Sequence, residues 1–195
     1  MFAGRRTNRT KITKNKQKKH EFQRLLLQER TNQQMSQIIL SGFPPVIDEA
    51  THTLILGSFP GQASLDAQQY YAFRHNQFWR LMSAVLQQDL VVCKYPQKLE
   101  MLLAHGIGLW DIFRHCVRQG SLDAAIREGQ LNDFATLRRD YPQLRRVCFN
   151  GKTAAKIQSW FQAQGYQTLV LPSSSPANAM RSFAEKSHEW QQILN

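Results

Sequence analysis

The 195-residue chain is poor in cysteine, has no long apolar run and has no paired metal ligands, and each absence excludes a class of protein. Its three cysteines, Cys93, Cys116 and Cys148, are too few and too far apart for a disulfide framework or a C-x-x-C metal knuckle. Its six histidines show no metal-ligand spacing, so we expect neither a metal nor a cofactor. No apolar run approaches the roughly 20 residues of a membrane span, which predicts a soluble protein. The cysteine usage fits a reducing, cytoplasmic compartment.

The amino terminus also lacks the apolar segment and the small-residue cleavage site of a secretory signal. Positive charge is concentrated there instead. Residues 1–36 carry ten Lys/Arg against two Glu, a net charge of +8, whereas the other 159 residues have a net charge of +3. A basic arm of this kind can tether a protein to nucleic acid or to another anionic surface. A solvated leader without a partner explains the arm equally well, and both interpretations stay open.

Composition divides the chain into two parts. We expect residues 1–36 to form a largely disordered extension, because their apolar content is low. Apolar residues recur loosely at helical spacing over 21–40 and predict one helix there. The Ser-Gly-Phe-Pro-Pro break at 41–45 then begins a single compact domain, which covers 43–195.

Apolar runs and helical periodicity alternate through this domain. The four predicted strands cover 53–56, 107–113, 145–150 and 168–171. The predicted helices cover 78–86, 96–105, 154–164 and 180–194, with a short capped helix within 116–132 and a short amphipathic helix over 133–141. Strands that alternate with helices favour an α/β fold with a mostly parallel sheet and both faces covered.

Three of the four predicted strands end in a distinctive polar loop, at 57–61, 150–153 and 172–178. Because the carboxyl ends of parallel strands share one edge of a sheet, we expect the three loops to form one site. Asp111 lies near the end of the remaining strand, where its side chain would reach the same edge. The Gly-Lys-Thr turn at 151–153 suits an anion. It lacks the upstream glycine and the spacing of a phosphate-binding loop, however, so we reject an ATP or GTP site.

Aromatic and polar side chains are interleaved after the first of these loops. The aromatic residues are Tyr70, Tyr71, Phe73, Phe78 and Trp79, and the polar ones are Arg74, His75 and Asn76. Aromatic faces beside amide, imidazole and guanidinium groups suit a flat polar ring that is stacked upon and read along its edge. For Phe78 and Trp79 we favour the hydrophobic core, since paired aromatics on a helix usually pack inward.

Five segments, taken in order, resemble the uracil-DNA glycosylase superfamily, and most closely its hypoxanthine (deoxyinosine) DNA glycosylase branch. They are LILGSFPG (54–61), SLDAQQYY (64–71), Asn76-Gln77-Phe78-Trp79, FNGKTAAK (149–156) and LPSSSPANA (171–179). The resemblance covers 43–195 and leaves out the basic extension. It implies a three-layer α/β/α sandwich around a central four-stranded parallel sheet. It also implies a monomeric, monofunctional glycosylase of base excision repair, associated with the nucleoid when it acts. Such an enzyme flips a deaminated base out of DNA and hydrolyses its N-glycosidic bond.

The resemblance also implies roles for individual residues. In this superfamily the first loop often supplies an Asp or Asn that positions the attacking water, and here Phe59 stands at that place. The hypoxanthine branch relies instead on the asparagine before the Phe-Trp pair, which is Asn76 in this chain. That branch usually reads His-Pro-Arg-Asn, whereas this chain has Phe-Arg-His-Asn at 73–76. His75 is a candidate acid, although a structural or exposed histidine is at least as good an interpretation.

We expect the other site residues to form two groups. The predicted base pocket consists of Gly57, Ser58, Phe59, Pro60 and Gly61, with Tyr70 and Tyr71, where Phe59 and one tyrosine stack on the flipped base. The predicted DNA contacts are Asn150, Gly151 and Lys152, and Ser173, Ser174, Ser175 and Pro176 on the flanking phosphates.

Two alternatives remain beside a deoxyinosine glycosylase. One is a uracil-excising enzyme of the same superfamily, since base selectivity depends on fine details of pocket shape. The other is a non-catalytic nucleic-acid-binding module in which the basic extension provides the tether. Phe59 in the water-positioning place and the altered segment at 73–75 favour this second alternative.

Overall fold

The computed structural model describes residues 23–24 and 39–194 of the chain. The predicted extension over 1–36 and most of the helix predicted over 21–40 therefore lie outside the described residues. The end of that helix prediction is wrong. Ile39 and Leu40 belong to a strand instead, because they pair with Val117 and Cys116 of a neighbouring strand.

Seven strands and six α-helices make up the described domain. The strands are β1 (Ile39–Ser41), β2 (Thr53–Gly57), β3 (Ile107–Asp111), β4 (Phe113–Val117), β5 (Arg127–Leu131), β6 (Arg146–Asn150) and β7 (Gln167–Leu171). The helices are α1 (Gln62–Ala67), α2 (Phe78–Leu86), α3 (Tyr95–Ala104), α4 (Leu137–Asp140), α5 (Gln158–Ala163) and α6 (Phe183–Trp190). Short 3-10 turns lie at Asp123–Ala125, Ala154–Ile157 and Gln191–Leu194. Within the described part of the chain, no helix has both the length and the apolar character needed to cross a bilayer.

Four parallel strands form the central sheet in the order β3-β2-β6-β7, which confirms the predicted four-stranded parallel sheet. Strand β2 is an interior strand of this sheet. Every one of its residues is buried, as its uninterrupted apolar run predicts. The register pairs Gly57 with Asp111 and Asn150 with Leu171. The last residues of all four strands therefore lie at one edge of the sheet.

Alternate residues of β2 pack into separate hydrophobic clusters, because successive side chains of a strand point to opposite faces. Ile55 belongs to a cluster with Phe78 and Trp190, from helices α2 and α6. Leu54 belongs to another with Phe161 of helix α5. Helices thus cover both faces of the sheet, and the core position that we favoured for Phe78 is confirmed at 0% exposure.

A second sheet, antiparallel and three-stranded, has the order β1-β4-β5, and the sequence did not reveal it. The short helix predicted within 116–132 is wrong except for one 3-10 turn at Asp123–Ala125. The residues after that turn form β5, which pairs with β4. Leu122, an apolar residue of the predicted helix, is 62% exposed and therefore does not anchor a helix to the core.

The other predicted helices are present, and all but α2 have shifted ends. Helix α2 has the predicted bounds, while α3 begins and ends one residue earlier than predicted. The segments predicted as helices over 154–164 and 180–194 each divide into one α-helix and one 3-10 turn. Helix α6 begins at Phe183 because Ser182 and Glu185 form a capping box in front of it.

Candidate active site

Residues from two of the polar loops and from the aromatic segment at 70–79 meet at the carboxyl edge of the central sheet, around the side chain of Asn150. Asn150 Nδ2 donates to Ser174 Oγ over 2.9 Å, and Ser174 N–H donates back to Asn150 Oδ1 over 2.8 Å. The same Nδ2 group donates to Tyr71 Oη over 3.2 Å. Ser174 is fully buried. The asparagine therefore joins the end of β6 to two other segments. One is the loop at 172–178, here called the serine loop, and the other is the aromatic segment at 70–79.

Asn76 lies on a partly buried turn at the start of α2. Its N–H donates to the Phe73 carbonyl over 2.8 Å, and its Oδ1 accepts from Phe78 N–H over 2.9 Å. The next residue, Gln77, donates its N–H to the Ser174 carbonyl over 2.9 Å. The turn that carries Asn76 is thus fixed against the serine loop, while its Nδ2 group makes no hydrogen bond to any described residue.

A buried lysine supports this turn from behind. Lys186 of helix α6 is 1% exposed, and its Nζ donates to Gln77 Oε1 over 3.0 Å. Burial lowers the pKa of Lys186, because an ammonium group loses hydration there. Sequence reasoning missed this residue, since a lysine within an amphipathic helix usually faces the solvent.

Gly57 ends β2 at a point where two other side chains approach the backbone. A Cβ atom at this position would collide with Oδ1 of Asp111 and would lie 3.1 Å from Tyr71 Oη. Glycine is therefore required here by the close approach of neighbouring side chains, rather than by the shape of a turn. Its absent side chain leaves room for a carboxyl and a hydroxyl group beside the first loop.

The carboxyl group of Asp111 is unusual among the described residues. Asp111 is 4% exposed, and its Oδ2 has no hydrogen-bond partner within the described part of the chain. Burial, followed by the charge of Asp123, raises the pKa of Asp111 to about 7, while Arg118 opposes the rise. Asp111 lies at the end of β3, as the sequence predicts. Only the structure shows that its Oδ2 atom has no hydrogen-bond partner among the described residues.

The loop over 57–61 is held by two charged residues from the segment that links β4 to β5. Ser58 Oγ donates to Asp123 Oδ1 over 2.6 Å. Arg118 lies with its guanidinium carbon 5.1 Å from the centre of the Phe59 ring, and its Nη2 donates to the Pro60 carbonyl. Arg118 is 7% exposed, and its Nε and Nη1 have no partner among the described residues.

The two predicted pocket tyrosines have different surroundings. Tyr70 is 3% exposed, packs edge-on against Phe43, and donates its hydroxyl to the Pro44 carbonyl, so the structure places it in the core. Tyr71 is partly buried, and its ring is stacked on Phe78 with centroids 3.8 Å apart. Of the two hydroxyl groups, that of Tyr71 reaches the carboxyl edge. Burial raises the pKa of Tyr71, so its hydroxyl keeps its proton.

The other predicted residues line the same edge with different exposure. Gly151 has a φ of +95°, and a Cβ atom there would lie 2.9 Å from Ser173 Cβ, so this turn also needs glycine. Lys152 and Pro176 are exposed, whereas Ser173 and Ser175 are partly buried. Phe59, at 6% exposure, is covered in this structure and presents little ring surface.

The remaining polar residues of the aromatic segment lie on its outer surface. His75 is exposed, and its Nε2 accepts from Arg74 Nε over 2.9 Å. Neither side chain takes part in the hydrogen bonds among Asn150, Ser174 and Tyr71. Over residues 23–24 and 39–194, no group of three His, Cys, Asp or Glu side chains could hold a metal ion.

The match to a family model agrees with this arrangement. The model of the uracil DNA glycosylase superfamily matches residues 44–195. The chain belongs to this superfamily. Two relatives from Methanosarcina acetivorans and Methanosarcina barkeri, both named hypoxanthine DNA glycosylase, are 43% and 42% identical to it. The matches cover 80% and 78% of this chain and 99% and 96% of the relatives.

A solved structure of the superfamily shares both the fold and much of the sequence. It is a solution NMR structure of a Methanosarcina acetivorans protein, described as a candidate uracil DNA glycosylase. It is 40% identical to this chain and superposes with a TM-score of 0.73, covering 81% of this chain and 100% of its own. The α/β architecture expected from the resemblance is therefore shown, and the carboxyl edge described above is the candidate active site of a superfamily member.

Proposed function

We propose that this protein is a DNA glycosylase that removes hypoxanthine, the deamination product of adenine, from DNA. The relatives with that name match four-fifths of this chain at 42–43% identity. The single contact that supports the proposal most directly is the hydrogen bond from Gln77 N–H to the Ser174 carbonyl. It holds the turn with Asn76 against the loop that we expect on the DNA phosphates.

The arrangement suits hydrolysis without a nucleophilic side chain. Cleavage of an N-glycosidic bond passes through an oxocarbenium-like sugar, and the electron pair of the broken bond leaves with the base. Water then adds to C1′ of the deoxyribose, and the proton that it loses balances the negative charge with which the base departs. A carboxamide does not titrate near neutrality, so Asn76 acts by positioning: its unbonded Nδ2 group and the second lone pair of Oδ1 can orient the water or the base.

The serine loop provides the complementary contacts to DNA. Hydroxyl and N–H groups of Ser173, Ser175 and the neighbouring turn can approach a phosphate closely because their side chains are small. Lys152 is exposed at the adjacent loop and adds a positive charge there. Within this proposal the enzyme acts as a monomer in the cytoplasm, on the nucleoid, and the basic residues of 1–36 strengthen non-specific DNA binding.

Excision of uracil is a second candidate function, since the matched NMR structure is described as a candidate uracil DNA glycosylase. The decisive experiment uses duplexes that contain one deoxyinosine or one deoxyuridine, followed by alkali to break the strand at an abasic site. We expect scission at deoxyinosine and little at deoxyuridine. An undamaged duplex of the same sequence is the control. Absence of scission at both lesions, with folded protein, would leave the non-catalytic binding module as the better interpretation.

A further inference from the structure

A groove lies at the amino edge of the central sheet, opposite the candidate active site. Its volume is about 430 Å³, and residues at the starts of all four parallel strands line it. The polar residues of its lining are His52, Thr53, His105, Arg145, Arg146 and Gln167. Strands of five residues separate the two edges by roughly 15 Å, so a base held at the carboxyl edge does not reach this groove.

The groove, here called the amino-edge groove, concentrates positive charge without a compensating acid. The adjacent residues Arg145 and Arg146 both line it, and its lining contains no Asp or Glu. The two ion pairs found in the described part of the chain involve Arg139 and Arg181 instead. Uncompensated charge of one sign in a concave site raises the local concentration of ions of the opposite sign. The amino-edge groove is therefore suited to an anion.

Both arginines have N–H groups available for such a ligand. Arg146 Nη1 donates to the Ile193 carbonyl over 2.7 Å, and its Nη2 donates to Gln167 Oε1 over 3.3 Å. These bonds hold the guanidinium group in place and use two of its five N–H donors. The exposed side chain of Arg145 makes no hydrogen bond to any described residue. Guanidinium groups with free N–H pairs match the geometry of a phosphate group.

The backbone of His52 joins the arginines to the start of β2. The His52 carbonyl accepts the N–H groups of Arg145 and Arg146, each over 3.1 Å. A Cβ atom at Gly106 would collide with the His52 ring, so this ring packs directly on the glycine. The imidazole therefore has a fixed place beside the two arginines.

The pKa of His52 reflects the positive potential of the amino-edge groove. Burial, followed by the charges of Arg145 and Arg146, lowers this pKa, while a hydrogen bond with the His105 backbone opposes the fall. The titratable and charged side chains that line the groove are those two arginines and the two histidines. A bound anion would offset the arginine charges and favour the imidazolium form, so it should raise the pKa of His52.

We propose that the amino-edge groove binds a phosphate ester, with Arg145 and Arg146 as the donors to its phosphate group. The volume lies within the roughly 300–1,000 Å³ of small-molecule sites, which leaves room for the organic part of the ester beside the phosphate. The phosphate can belong to a free nucleotide or to a second segment of DNA, since both present the same group. This inference goes beyond the proposed glycosylase function and does not depend on it.

The test titrates the full chain with three probes at constant ionic strength: inorganic phosphate, thymidine monophosphate and an undamaged duplex. The imidazole signals of His52 are followed by NMR and assigned by their loss in His52→Gln. We expect saturable shifts with inorganic phosphate, tighter binding of thymidine monophosphate and a raised pKa of His52 in the bound state. Absence of a saturable shift with all three probes would overturn the proposal.

A matched pair of variants tests the role of the arginines. Arg145→Gln removes one charge and should stay folded, because this side chain is exposed. It should weaken the binding of thymidine monophosphate by roughly tenfold, through loss of a charge-assisted hydrogen bond. Arg114→Gln removes an equally exposed arginine from β4, outside the groove, and should leave this affinity unchanged. Equal losses in the two variants would reduce the effect to net charge and overturn the site.

The duplex probe distinguishes the two sources of phosphate. If the ligand is a second segment of DNA, the duplex should shift the His52 signals, and Arg145→Gln should lower the salt slope of duplex binding by about 1. If the ligand is a free nucleotide, thymidine monophosphate should shift these signals and the duplex should not. In both cases Arg145→Gln should excise deoxyinosine at the rate of the unaltered protein in single-turnover assays. A slower rate would contradict a site separate from the carboxyl edge.

Discussion

Asn150 and Ser174 bind each other through two hydrogen bonds, 2.9 Å and 2.8 Å long, across the ends of two adjacent strands. Each residue donates to the other, and Asn150 additionally donates to Tyr71. Three of the five sequence segments that resemble the glycosylase motifs, 64–71, 149–156 and 171–179, therefore meet through one side chain.

Replacement of Asn150 by alanine should remove the two hydrogen bonds that hold the serine loop to the end of β6. Asn150→Ala leaves the N–H of the buried Ser174 without an acceptor, which should lower the free energy of unfolding by roughly 1–3 kcal/mol. Asn150→Asp keeps that acceptor but loses both Nδ2 bonds, so it should be more stable than the alanine variant. Chemical denaturation measures the difference. Equal stability of the two variants would show that the Ser174 N–H bond contributes little.

Asn76 can be tested with a pair of variants that separate capping from chemistry. Asn76→Ala removes the Oδ1 acceptor for Phe78 N–H and should cost about 1 kcal/mol of stability as well as most of the excision activity. Asn76→Asp keeps the cap acceptor and loses the Nδ2 donors. If positioning by Nδ2 is essential, the aspartate variant should be as stable as the unaltered protein, bind DNA nearly as well and excise poorly in single-turnover assays. A fully active alanine variant would exclude Asn76 from catalysis.

Asp111 should make stability depend on pH. Burial raises its pKa to about 7 in the folded protein, from an ordinary value of 3.8, so the folded state binds the proton more tightly. The resulting stability is present below about pH 4 and is lost as the pH rises toward 7, by an amount on the order of 4 kcal/mol. The free energy of unfolding measured from pH 4 to 8 should fall less steeply for Asp111→Asn. Parallel pH profiles would contradict the raised pKa.

Lys186 and Gln77 should behave as a coupled pair. Gln77→Leu removes the Oε1 acceptor and leaves a buried ammonium unpaired, which should cost roughly 1.5–3 kcal/mol. Lys186→Met replaces the ammonium with an apolar group of similar length and should be neutral or stabilising, because the desolvated charge disappears. The double variant should recover most of the loss caused by Gln77→Leu. Additive effects in this double-mutant cycle would show that the two side chains are not coupled.

Deletion of residues 1–36 should lower the affinity for DNA without lowering the rate of base excision by DNA-bound protein. The segment has a net charge of +8, so its loss should weaken binding to undamaged duplex and reduce the dependence of affinity on salt concentration. Single-turnover excision at saturating protein should survive, since the residues of the candidate site lie in 57–176. Binding titrations from 50 to 200 mM salt measure the first effect. An unchanged salt dependence would assign the extension no role in DNA binding.

Local patterns in the sequence were enough to predict the central sheet. A continuous apolar run predicts β2 because a strand buried on both faces needs no polar residues. Helix α2 could be predicted with its bounds, since its apolar residues recur at helical spacing and pack as one face. The antiparallel sheet could not, because β4 and β5 depend on pairing with distant or exposed segments, and their own residues give little periodic signal.

The sequence by itself determined the four strands of the central sheet, the polar loops after three of them and, through the motifs, the family of the protein. Tertiary structure alone decided that Tyr70 is covered while Tyr71 reaches the edge, that Lys186 is buried behind Gln77, and that Asp111 has an unpartnered oxygen. The physical reason is that propensity and periodicity act within a few residues of the chain. Burial and hydrogen-bond partners depend instead on which distant segments the fold brings together.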